Sequence, residues 1–136
     1  LLVWETMRYG AFLTVTGGTL EAAPDTKTMP VCHGVVVDVD VMFPPGSAGL
    51  LHLQIWYHER QVFPETGGGA FRGDDHLFQF PDSLVLDEQP YTLELRGWAP
   101  DATLNHTVFV QVTVTPVPEE YVPMLMEVPL PEGMWI

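Results

Sequence analysis

The most constraining stretch of the chain is His33–Phe43, HGVVVDVDVMF, because it alternates with a period of two. Successive side chains of a strand point to opposite faces, so the alternation puts Val35, Val37, Val39, Val41 and Phe43 on one buried face. Asp38, Asp40 and Met42 fall on the other, wetter face. Pro44-Pro45-Gly46 then removes a backbone donor and forces a turn. The same period recurs in Leu50–His58, with Leu51, Leu53, Ile55 and Tyr57 on one face, and in Tyr91–Trp98, with Tyr91, Leu93 and Leu95 inward. It recurs in His106–Val114, where Val108, Val110, Val112 and Val114 point inward. No stretch carries the 3.6-residue period of an amphipathic helix.

Shorter strands are expected at Tyr9–Thr16, Gln61–Phe63, Asp75–Phe80 and Leu84–Leu86, with a continuation at Thr19–Ala22 after a Gly17-Gly18 hairpin turn. Between them, Pro64–Asp75 reads as a flexible glycine-rich loop. Seven to eight short strands separated by Pro, Gly and Asp turns predict an all-β fold, an antiparallel β-sandwich or jelly roll. Residues 1–115 form this domain, and residues 116–136 follow as an extended arm.

The arm reads PVPEEYVPMLMEVPLPEGMWI. Its prolines block both helix and central strand, yet it is too apolar for an ordinary disordered tail. Such a segment needs a surface to lie on, either its own body or a neighbour. The expected contact residues are Tyr121, Val122, Met124, Leu125, Met126, Val128, Leu130 and Trp135, joined by Leu2 and Trp4 at the other terminus. The opening Leu1-Leu2-Val3-Trp4 lacks the basic flank and small-residue cleavage site of a signal peptide.

Charge narrows the partners. Eighteen acidic residues face five basic ones, a formal net charge of −13. Such a surface repels phosphates, so no nucleic-acid partner is expected. No apolar run reaches the ~18 residues of a membrane span, so no membrane partner is expected. Edge strands are often guarded by lysines, but Lys27 is the only lysine.

The chemistry-bearing residues form no recognisable constellation. His52 and His58 share a strand face but lie roughly 20 Å apart, too far to share a metal ion. His33, His76 and His106 have no ligand spacing. Asp38 and Asp40, and Asp74-Asp75 in the loop, offer oxygen ligands without the pattern of a calcium loop. Cys32 is the single cysteine and reads as a buried, inert thiol. Arg72-Gly73-Asp74 spells an adhesion tripeptide and Asn105-His106-Thr107 a glycosylation acceptor, both short enough to arise by chance. Neither a nucleophile elbow, a zinc-protease helix nor a phosphate loop is present. An enzyme is therefore not expected, nor a cofactor. Trp56 and Trp98 are the candidates for an exposed sugar-stacking platform, which would make the chain a carbohydrate- or calcium-dependent binding module instead.

The string FPPG at Phe43–Gly46, VFP at Val62–Pro64, RGDD at Arg72–Asp75 and EQPYTLELRGW at Glu88–Trp98, followed by Asp101 and His106, resembles small all-β structural proteins of tailed viruses. These include capsid decoration proteins and tail or fibre adaptors. The resemblance covers about half of the chain, Val41 to Val114. It implies a non-enzymatic subunit of a virion or extracellular assembly, joined by its arms to like copies or to scaffold subunits.

Overall fold

The computed structural model describes residues 5–119. Leu2, Trp4 and every contact residue expected from Tyr121 to Trp135 lie outside that range. Eight strands run in the order β1 (Met7–Val15), β2 (Asp25–Pro30), β3 (Gly34–Phe43), β4 (His52–Tyr57), β5 (Arg60–Phe63), β6 (His76–Leu86), β7 (Thr92–Trp98) and β8 (His106–Pro116). They form two four-stranded antiparallel sheets, β1-β8-β3-β6 and β2-β7-β4-β5, and the fold is a β-sandwich.

The pairing is nested. β1 pairs with β8, β2 with β7, β3 with β6 and β4 with β5. The chain thus behaves as one long hairpin rolled over itself, its innermost turn between β4 and β5. Neighbours along the chain mostly sit in opposite sheets. All four connections β1–β2, β3–β4, β5–β6 and β7–β8 therefore gather at one end of the sandwich, the loop end. Both described termini lie at the other.

The inward sides interleave to make the core. Val108, Val110, Val112 and Val114 are fully buried, as are Leu51, Leu53, Ile55, Leu93 and Leu95. Phe43, Phe78, Phe71, Phe80 and Phe63 continue it as a chain of aromatic contacts along the side where β6 and β5 are the sheet edges.

Four expectations need correction. In β3, Val36 rather than Val35 is buried, because the register shifts between Val36 and Asp38. A bulge places one extra residue in the strand and reverses the alternation before it. Second, Pro81 does not end its strand: β6 runs through it, and Pro81 pairs with Asp38. An edge strand tolerates a missing donor on its open side, and β6 is an edge.

Third, β1 and β2 form no hairpin across Gly17-Gly18, since they belong to different sheets. β2 is Asp25–Pro30, and residues 19–22 form no strand. β2 has only one buried side chain, Met29, so its sequence shows almost no alternation. It is also the edge that carries Lys27.

Fourth, the glycine-rich loop is stapled in place. The Gln54 amide donates to the Gly69 carbonyl at 2.8 Å, and the Gln61 amide donates to Pro64 and Gly69 carbonyls at 2.7 and 2.9 Å. Phe71 then exchanges two backbone hydrogen bonds with Leu53, at 2.8 and 3.0 Å.

Candidate assembly surface

Outward side chains of the first sheet fall into rows that cross its strands. Registers place Phe12 opposite Phe109, Phe109 opposite Met42, and Met42 opposite Leu77. One apolar row therefore crosses all four strands, about 14 Å long at ~4.8 Å per strand. Phe12 is 64% exposed, Met42 48% and Leu77 44%. Scattered exposed apolar residues are ordinary on a protein surface. A contiguous row bounded by polar rows is the arrangement that marks a contact surface. Its flank on one side is Gly10, Gln111, Asp40 and Gln79. On the other, Thr14 and Thr107 share a hydroxyl hydrogen bond of 2.9 Å.

Gly10 shapes the row. A Cβ there would lie 3.0 Å from the Phe109 ring, so the ring can fold down over the glycine. Phe109 also meets Phe12 at a centroid distance of 4.7 Å and a tilt of 42°. Phe109 thus lies low on the sheet and is half-buried, while Phe12 beside it stays open to solvent. Two further exposed apolar side chains, Leu20 and Leu104, sit on loops at the loop end, the end nearer the row.

The loop end is well held. The Asp74 carboxylate accepts from the backbone N–H groups of Gly46 and Ala48 at 2.7 and 3.1 Å. Arg72 Nε donates to the Gly49 carbonyl at 2.8 Å. Buried Ser47 donates to the Gly73 carbonyl at 2.6 Å. The Arg72-Gly73-Asp74 tripeptide thus ties two loops together. Asn105 accepts the Gly17 N–H at 3.0 Å and braces the β1–β2 connection in the same way.

The outer face of the second sheet is covered instead. Arg96 lies over the Trp56 ring, 3.9 Å from its centroid, and its Nε bonds Glu94 at 2.6 Å. Trp56 donates its ring N–H to Gln54 at 3.0 Å. Trp98 is 5% exposed and stacks on His52 at 5.3 Å. The two tryptophans therefore form no open platform, contrary to the sugar-stacking expectation. Burial, with a contribution from Arg72, holds the His52 ring below its usual pKa.

The remaining candidates are spread out. Among the described residues no three His, Cys, Asp or Glu side chains come together as a metal site. Asp40 stands beside the row, and one of its carboxylate oxygens is buried without a partner. Cys32 is half-buried rather than buried. The nearby Cys32 thiol, together with burial, pushes the Tyr9 hydroxyl pKa up to about 12.

The end opposite the loops holds the last described residues. Val117 is buried, its N–H donates to the His33 carbonyl at 3.0 Å, and its own carbonyl accepts from the His33 ring. The Glu119 carboxylate accepts from the Tyr91 hydroxyl and from the Gln89 amide. Those two bonds hold its carboxyl below the usual carboxylate range.

No protein-family model matches the chain, and no curated protein matches it. Among solved structures it is similar to a chain of the cyanophage Pam1 capsid asymmetric unit, with 13% identity, 84% of this chain and 86% of that one covered, and a TM-score of 0.48. It is similar to the tomato aspermy virus structure at 11% identity, covering 91% of this chain and 82% of that one with a TM-score of 0.47. It is also similar to a Bacillus endospore appendage, a disulfide-linked pilus, at 8% identity, with 85% and 92% covered and a TM-score of 0.42. Likeness at this level assigns no function.

Proposed function

We propose that this chain is a non-enzymatic structural subunit that acts as one copy in a repeating assembly. The reading is a virion component of the capsid-decoration or tail kind, or a comparable filament or surface subunit, held together partly by its termini. The observation that carries it is the bare row of Phe12, Phe109, Met42 and Leu77 across a rigid sheet. Water contact with so much contiguous apolar surface is unfavourable, and burial against a neighbour removes that cost at about 25 cal/mol per Å². The nested strand pairing supports the reading by analogy: we read it as a jelly-roll arrangement, a kind of sandwich that builds viral shells among other roles. An acidic surface keeps such subunits soluble before they assemble.

The test is the native mass. Sedimentation of the full chain should give a multiple of one chain mass. Replacing Phe12 and Met42 together by serine should return it to a single chain mass without loss of the far-ultraviolet β signal. A wild-type chain that stays single at all concentrations would remove this reading.

A further inference from the structure

The row and the last described residues stand at opposite ends of the molecule. Just past the row, Val15 pairs with His106 and Phe43 with His76, and the loops begin. At the far end, Pro116 pairs with Gly34 and Val117 bonds His33. From Phe109 to Pro116 the distance along β8 is roughly 23 Å at ~3.3 Å per residue. Glu119 is drawn towards Gln89 and Tyr91, which lead into β7 of the second sheet. The described chain therefore ends, at Glu119, on the side of the second sheet and away from the face that carries the row.

Shape decides what the row can hold. A face-to-face dimer needs about 800 Å² from each partner, whereas this surface is one side chain wide with polar rows beside it. It matches four to five residues of extended chain at ~3.1–3.3 Å each. Residues 120–136 have the chemistry for it: Val122, Leu125, Val128, Leu130 and Trp135 are spaced by Pro123, Pro129 and Pro131, with no Lys or Arg. Fully extended, they span roughly 50 Å at ~3.1 Å per residue. To meet its own row, the segment would have to reverse at the terminal end and run back up the sheet. A second copy can present its row without that reversal.

Building on the assembly reading, we infer that the row receives residues 120–136 of a second copy, so that copies join head to tail. The contact uses two different surfaces, so it closes into a ring or continues as a filament, according to the rotation between copies. Both surfaces belong to an acidic chain, so charge opposes the contact and apolar burial drives it. Added salt screens that repulsion and tightens the contact. Docking onto a basic scaffold would respond in the opposite sense.

Two full-length variants test this. One carries Phe12→Ser with Met42→Ser and keeps its C-terminal segment; the other carries Leu125→Asp with Leu130→Asp and keeps its row. Each alone should sediment at one chain mass. Mixed in equal amounts, they should form a species of two chain masses and none larger, since only one row and one segment remain competent. Raising the salt should increase the paired fraction. If the wild type assembles while the mixture stays single, or if the Leu125/Leu130 variant still assembles alone, the head-to-tail contact is wrong and the assembly reading stands. If the wild type is itself single, both fall.

Discussion

The two sheets treat their outward aromatic residues in opposite ways. On the second sheet, Trp56 lies under Arg96, Arg96 is held by Glu94, and Gln54 joins the Trp56 ring to the 64–71 loop. On the first sheet, Phe12 is 64% exposed, and among the described residues its ring meets one aromatic partner, Phe109. The chain evidently has the means to shield an outward ring, a cation, an amide and a loop, and applies them on one side. The bare side is thus a feature of the sequence and not a consequence of sandwich geometry. Shielding also has an energetic consequence: the covered ring contributes to folding, while the bare ring is free to contribute to association.

That contrast yields predictions of decreasing size. Phe12→Asp puts a charge into the row and should weaken self-association at least 100-fold, about 2.7 kcal/mol. Urea unfolding of the same variant should differ from wild type by no more than ~0.5 kcal/mol, as for an ordinary surface change. Trp56→Ala should do the reverse. Its unfolding free energy should fall by about 2 kcal/mol, from lost burial and the lost cation–π contact, with association unchanged in sedimentation. Should Trp56→Ala impair assembly as much as Phe12→Asp, the contrast between the faces disappears.

A smaller effect isolates the shield. A double-mutant cycle on Trp56 and Arg96, read by urea unfolding, should give a coupling of about 0.5–1 kcal/mol. The smallest effect is a pH dependence. His52 stacks on Trp98, and its pKa is lowered in the fold chiefly by burial. The folded state therefore prefers the neutral ring. That contribution is complete above the unfolded pKa of about 6.5 and is lost as pH falls through the lower folded value. Stability of the wild type should decline from pH 7 to pH 5 more than that of His52→Phe, measured by thermal melts at each pH. Parallel profiles would remove His52 from the account.

Parts of this structure were plain in the sequence, for a physical reason. β4, β7 and β8 each bury one face continuously, so their inward residues keep a period of two, even where Gln54 and Trp98 are also buried on the other face. β3 was legible as a strand but not in phase, because the bulge after Val36 cannot be read from hydrophobicity. β2 and the middle of β6 were hidden because edge strands bury little and tolerate proline. The row was half visible. Met42 fell on the wet face of its strand, and Phe109 alternated with the inward valines of β8. That Phe12, Phe109, Met42 and Leu77 line up is a fact of register between strands far apart in sequence, which no local pattern carries. The cover over Trp56 was invisible for the same reason, since Arg96 reaches it from a different strand.

The central claim is that the row is covered in the native species, and two methionines provide a matched pair for testing it. Met42 in the row is 48% exposed and Met7, on β1 outside it, is 47% exposed. Their oxidation by dilute peroxide, followed by peptide mass spectrometry, should proceed at similar rates in the Phe12→Asp variant. In the wild type at concentrations where it assembles, Met42 should be oxidised several-fold more slowly than Met7. Equal rates in the assembled wild type would contradict the account.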